Sequence, residues 1–241
     1  MSDSRLRESI AAMVQLVTGA EECAMLATRA EDQERASGPE AWSISALVAH
    51  NSEFRSQQVT RLGAVIDRST PPNFSEIDHT SLEVYARFSA LTADQVLAGC
   101  RSTTTELVQL LWQLTDEDLT DPARNPWLRG RPLWLQVVAR GFWHPSGHLG
   151  EYWLSRGLPE KAVRLHAAGV ALAEAVQLPG AALGMARYSL ACAKSRTGHC
   201  EEALAEIVQA INGNPDLAQN AARDPDLEPV RALPGWPCSA N

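Results

Sequence analysis

Apolar residues recur at spacings of three and four almost from the start of the chain. Leu6, Ile10, Met13, Val14, Val17, Ala20 and Ala24 share one face of a helix that the pattern predicts from Ser4 to Arg29. The charged, glycine-bearing stretch EDQERASGPEA then breaks the period. A second helix is predicted after Trp42, with Ser43 or Ser45 to cap its free amides, and runs to about Asp67. Pro71 and Pro72 mark the loop beyond it, and a shorter helical piece covers SLEVYARFSA. A third long helix is predicted from Thr92 to about Leu114, opening on a Thr92–Gln95 capping box. DEDLTDPARNPWLRGRP reads as a long loop of the kind that often lies over a site. The fourth helix is predicted from Pro132 to Arg156, stopped by Gly157 and kinked at Pro145, which lacks an amide hydrogen and frees a carbonyl one turn earlier. No alternating strand pattern or Asn-Gly hairpin competes.

Four long helices with such connections predict an all-α chain: a four-helix bundle over residues 1–157, followed by a second helical unit over 158–241. In that second unit Leu190, Ala191, Gly198, Ala203, Ile207, Ala210 and Pro215 stand at spacings that resemble a tetratricopeptide repeat. Arg187 and Lys194 occupy places where that motif has aromatics, and DPDLEPVRALPGW resembles the short piece that follows a last repeat. So short an array offers little groove. The unit is therefore expected to cap the bundle or complete a homodimer; the other reading is a concave surface for a peptide or protein partner.

Composition narrows the function classes. Hydrophobic residues are 45% and charged residues 21%, the balance of a soluble protein with a real core. A net charge of -8, with Lys161 and Lys194 the only lysines, argues against nucleic acid as a partner, because neutralising phosphates needs clustered cations. The first residues lack a secretory pattern, and the most apolar window, LVQLLWQL, is broken by glutamines, so a cytoplasmic protein without a membrane partner is expected. Cys23, Cys100, Cys192, Cys200 and Cys238 form no CxxC pair and read as reduced, buried small residues plus one exposed tail thiol at Cys238.

Of six histidines, two stand four apart in FWHPSGHLGEYW, so His144 and His148 lie one above the other on a helix and can converge on one ion. Alone, the pair reads equally well as satisfied core histidines among Trp143, Tyr152 and Trp153. It is not the zinc-protease motif, since HPSGH lacks the glutamate that follows the first histidine there. His50 adds a third imidazole on the second helix, after Ile44, Leu47 and Val48, and would meet the pair if the second and fourth helices are neighbours. His79, His166 and His199 have no companions at ligand spacing and read as ordinary surface or capped residues. Three imidazoles leave open positions on an ion, as catalytic rather than structural sites do. Glu53 and Glu151, three residues after His50 and His148, share those helical sides; each is a candidate to orient an imidazole or carry a proton, or a surface carboxylate without a role.

Trp42-Ser43, Ala49-His50 and the His144–His148 pair, in that order over residues 1–157, resemble the DinB-like/YfiT-like superfamily, which includes mycothiol-dependent maleylpyruvate isomerases and bacillithiol- or mycothiol-dependent transferases. The resemblance implies a four-helix bundle with a divalent metal on His50, His144 and His148 and solvent completing the shell; imidazole ligands suit zinc, taken first, and nickel, taken second. It also implies a low-molecular-weight thiol as cosubstrate and a transferase, hydrolase or isomerase acting on a small electrophile, in detoxification for example. Pro145, Gly147 and HLGEYW depart from the superfamily's usual continuation. The reading from another class is a noncatalytic, metal-stabilised interaction or scaffold protein that uses the tetratricopeptide-like unit.

Overall fold

The computed structural model describes residues 3–28, 42–74, 82–175 and 177–237. EDQERASGPEA, His79 and Cys238 lie outside them. Every regular element among the described residues is helical. The chain divides into two compact units, Met1–His148 and Leu149–Asn241, with the division inside a helix.

In the first unit, α1 (Asp3–Ala27) buries Leu6, Ile10, Met13, Val14, Val17 and Ala24, the face drawn by its apolar spacing. By length and composition α1 could cross a membrane, which corrects the placing of the most apolar window at LVQLLWQL; half of its apolar window is buried in the protein, as in a core helix. Ser43, not Ser45, caps α2 (Ile44–Ile66), accepting from the Ala46 amide at 3.1 Å. A short α3 (Leu82–Ser89) follows. At the start of α4 (Ala93–Leu111) both arms of the capping box are present, Gln95 N–H to Thr92 Oγ1 at 3.2 Å and Thr92 N–H to Gln95 Oε1 at 2.8 Å. Helix α2 packs on α1, α3 and α4.

The long loop expected from Asp116 to Pro132 is instead built of short turns: α5 (Asp116–Thr120), then 3₁₀ turns at Pro122–Arg124 and Pro126–Leu128. Asp118 is the reason. Its side chain, nearly out of water, accepts from the Thr115 amide at 3.1 Å and pairs with Arg68 at 2.5 Å and Arg124 at 3.3 Å, while its carbonyl accepts from Asn125 Nδ2 at 2.8 Å.

The predicted fourth helix is also modified. It comprises α6 (Leu133–Val138), a π-helical turn over Ala139–Trp143, and α7 (His144–Ser155). Pro145 cannot bond the carbonyl four residues back; the turn before it widens, and the His144 amide donates to the Ala139 carbonyl five residues back. The π-turn packs against both α1 and α2. Gly141 permits the approach to α1, since a Cβ there would sit 2.8 Å from Val14 Cγ2.

A polar cluster lies inside this unit. Glu21, Asn51, Arg55 and Cys100 have no exposed surface. Arg55 pairs with Glu21, Asn51 Nδ2 donates to Glu21 Oε1 at 2.7 Å, and Cys100 Sγ stands 3.6 Å from Arg55 Nη1 and 3.7 Å from Glu21 Oε2. Burial pushes the Glu21 carboxyl upward, opposed by Arg55, Asn51 and Cys100. Burial and the Glu21 charge push the Cys100 thiol up to about 12, so it stays a neutral donor. Cys23, expected to be buried, is exposed.

In the second unit, α8 (Pro159–Ala175), α9 (Gly180–Arg196) and α10 (Cys200–Gly213) pack in sequence, followed by α11 (Leu217–Ala221), a 3₁₀ turn at Pro225–Leu227 and α12 (Glu228–Arg231). Ala191, Ala203, Ile207 and Ala210 form its core, which Leu217, Ala221, Leu227 and Val230 close. The small residues let α9 and α10 approach closely; a Cβ on Gly184 would lie 2.8 Å from the Ala210 carbonyl. Arg187 and Lys194 join the helices by charge: Glu206 takes Arg187 at 2.6 Å and Lys194 at 3.1 Å, and Arg187 also pairs with Glu174. His199 is exposed beside Thr197. His166, read from sequence as a surface or capped residue, is buried, and burial pushes its pKa down to about 4.

Two outcomes test this packing. Breaking the core pair on one side, by Glu21→Gln or Arg55→Met, should cost about 3–5 kcal/mol in denaturant unfolding, because one charge stays buried alone; the double variant should cost less than the sum. Because native His166 binds its proton only near pH 4 and the unfolded side chain near 6.5, its contribution is complete above pH 6.5 and is lost as pH falls toward 4, by roughly 3 kcal/mol. In metal-free protein, His166→Gln should flatten the unfolding midpoint between pH 7 and 4; an unchanged slope would assign the acid lability elsewhere.

Candidate metal centre

Position along α2 and α7 brings the site together. His50 lies mid-α2 and is buried; His144 opens α7 directly after the π-turn and His148 follows one turn later, both half-buried. His144 Nε2 and His50 Nε2 are 3.2 Å apart. The His148 ring is 5.0 Å from that of His50 and 4.4 Å from that of His144, nearly perpendicular to both. One ring nitrogen from each histidine lies within 4.8 Å of the others. The structure thus gathers the three residues that sequence spacing singled out.

The donor set fits a divalent cation. Metal–nitrogen bonds of about 2.0–2.1 Å in a tetrahedral shell put neighbouring nitrogens ~3.3 Å apart, close to the His50–His144 separation. Neutral imidazole is the ligating form, and the surroundings suit it: Trp42, Phe54 and Phe88 ring centroids stand 4.8, 4.9 and 6.0 Å from that of His50, and the Phe54 ring also lies 4.1 Å from that of His144. This aromatic wall lowers the local dielectric and limits water. The contribution of Phe88 and the contact of Phe54 with both histidines were invisible in sequence, since each reads there as one apolar residue among many.

The two carboxylate candidates are placed differently. Glu53 is half-buried, 3.8 Å from Arg87 Nη2 across the α2–α3 contact. Glu151 belongs to the second unit, where its exposed carboxylate pairs with Arg196. Of the tryptophans, Trp134 and Trp153 are buried, while Trp127 is half-buried near Arg61.

Cys192, Asp224 and Asp226 form another compact group, in the second unit. These groups are already engaged: Asp224 accepts from Tyr188 Oη at 2.7 Å and from the Asp226 amide at 2.9 Å, and Asp226 lies 3.7 Å from Arg196. Burial and the two carboxylates push the Cys192 thiol far up, opposite to the thiolate a metal needs. The group serves as turn capping.

The first unit therefore belongs, on its own geometry, to the class of helical domains with a three-histidine group able to hold a metal ion. No family model, curated protein or solved structure matches the chain.

Elemental analysis checks the assignment. Protein reconstituted with zinc should carry about one equivalent, and His50→Ala, His144→Ala or His148→Ala should each leave only a small fraction of it, whereas His199→Ala keeps the parent value.

Proposed function

We propose that the first unit is a DinB-like four-helix bundle in which His50, His144 and His148 hold zinc or nickel, and that the protein is a metal-dependent enzyme. It would transfer a low-molecular-weight thiol to, or hydrolyse or isomerise, a small electrophilic substrate. The observation that carries this reading is the meeting of His50 with the His144–His148 pair, the two imidazole nitrogens at 3.2 Å inside an aromatic wall. Three neutral donors from two helices are the ligand set of a site with positions left for substrate.

A divalent cation bound there lowers the proton affinity of water or thiol, which makes a nucleophile available near neutral pH. The chain's own residues set the conditions. The histidines position the ion; Trp42, Phe54 and Phe88 exclude bulk water; Glu53, one turn after His50, is the carboxylate to receive a released proton, with Arg87 beside it. Glu151, engaged by Arg196, is assigned no step. A cytoplasmic setting, a homodimer completed through the second unit, and the absence of nucleic-acid and membrane partners belong to the same proposal.

The second reading is an interaction or scaffold protein. It is favoured by the separate core of the second unit and the close, small-residue crossing of α9 and α10, which suit a tetratricopeptide-like hairpin that docks a peptide.

Turnover separates the two. Reconstituted protein should consume a small electrophile, from a panel of neutral ones such as 1-chloro-2,4-dinitrobenzene and carboxylate-bearing ones such as 4-chloro-3,5-dinitrobenzoate, with water or one of a panel of small thiols. Chelation should abolish this while the helical circular dichroism persists, and His148→Ala should lower kcat/KM by at least ~100-fold. Metal-loaded protein that turns over nothing with any thiol, yet captures peptides through the second unit, would move the assignment to the scaffold.

A further inference from the structure

A group of positive charges in the first unit is used by neither the fold nor the reading above. On α2, His50, Phe54, Gln57 and Arg61 follow at spacings of four, three and four, so they share one stripe. Across the α2 contact, Arg140 lies in the π-turn one turn before His144, with His148 one turn beyond. The Arg140 guanidinium sits 5.1 Å from the Phe54 ring centroid, and the His144 ring centroid lies 4.1 Å from the same point. Arg140 and the imidazole cluster thus share the Phe54 ring as a neighbour.

Arg61 stands over two aromatic rings, 4.9 Å from the Phe74 centroid and 5.9 Å from that of Trp127. Aromatic faces hold these guanidinium planes, but they supply no counter-charge. Among the described residues no carboxylate lies within ion-pair distance of Arg61, Arg131 or Arg140, although Arg7, Arg55, Arg68, Arg87, Arg101 and Arg124 of the same unit all have one. The Arg61 Nε atom is buried and has no hydrogen-bond partner. Between Phe54 and Arg61 on the same helix, Gln58 is fully buried with neither amide atom hydrogen-bonded.

Burial, then mutual repulsion, pushes the pKa of both arginines down: Arg61 feels Arg140, and Arg140 feels Arg131. Half-buried like charges in a chain of net charge -8 are the reverse of what folding alone selects. Such an arrangement becomes favourable when an anion enters it. Guanidinium groups match the flat, bidentate geometry of an oxyanion, and the aromatic backing leaves their N–H edges for it.

We propose that Arg61 and Arg140, with Arg131 adding to the field, form an oxyanion subsite beside the three-histidine group, so that the ligand of this site is a small molecule with a carboxylate or phosphate at one end. The proposal deepens the reading of the histidines as the reacting end and rests on it. The arginines hold the anionic end, Phe54 forms the shared wall, and the imidazole cluster faces the rest of the molecule. Uncharged electrophiles would then be poor ligands, and affinity would fall steeply with ionic strength.

Succinate and inorganic phosphate are the probes, titrated calorimetrically into the full-length, metal-loaded protein, with metal content measured on the same samples. Either anion should bind, and the tighter one identifies the oxyanion. Arg61→Gln and Arg140→Gln should each weaken that binding by at least about tenfold, while Arg101→Gln, an exposed arginine paired with Glu22, leaves it unchanged. Without anion, the thermal midpoints of Arg61→Gln and Arg140→Gln should equal or exceed that of the parent, because a repulsion is removed; this also shows that the variants fold. Absence of binding by both anions, or binding that neither substitution weakens, overturns the subsite. Full metal with no arginine-dependent binding leaves the metal reading standing and removes only the subsite; arginine-dependent binding in protein that takes up no metal upholds the subsite and removes the metal.

Discussion

A guanidinium with no contact to water must have its charge answered locally, and for Arg55 the answer comes from Glu21 on α1. Asn51, one turn earlier on α2, donates to the same carboxylate, and Cys100 of α4 closes the group. These contacts leave α2 one rotation about its axis and one height against α1 and α4. The stripe of Asn51 and Arg55 faces the interior, so the neighbouring stripe, with His50, Phe54 and Arg61, is turned toward the π-turn and α7. An apolar core could have slid by part of a turn at small cost; a buried ion pair cannot, because any slip strands a charge.

Once α2 is fixed, the other half of the site depends on a backbone irregularity. Pro145 forbids one helical hydrogen bond, and the widened turn before it changes the rotation between α6 and α7. Gly141 lets that turn come against Val14, so the irregular segment is held by packing. His144 and His148 then present to His50, and Arg140 to Phe54. An interior proline between two ligand candidates is destabilising as helix chemistry, but here it sets the angle at which two imidazoles arrive. The same turn leads from Arg140 to His144, so the arginine and the imidazole cluster of the proposed site are carried by one backbone irregularity.

Much of this was readable from residue order. The periodicity of Leu6 to Ala24, the Thr92–Gln95 box and the four-residue step from His144 to His148 are local, and local signals survive without knowledge of neighbours. The ordered turns around Asp118 and the burial of His166 were not legible, because each depends on a neighbour distant in the chain: Arg68 for Asp118, and the backbone at Gly150 for His166. Phe88 and Arg140 escaped for the same reason. Each is an ordinary residue in its own segment and acquires meaning only from what stands opposite.

Residue spacing was enough to establish helices and to nominate His50, His144 and His148, since helical period and imidazole chemistry are properties of short segments. It could not say whether imidazoles ninety-odd positions apart would meet, nor that Arg61 and Arg140 would feel each other's charge with no carboxylate, among the described residues, at ion-pair distance from either. Those outcomes belong to the burial of Arg55 against Glu21 and to the π-turn ahead of Pro145, where long-range electrostatics and steric exclusion, not local propensity, choose the rotation of each helix.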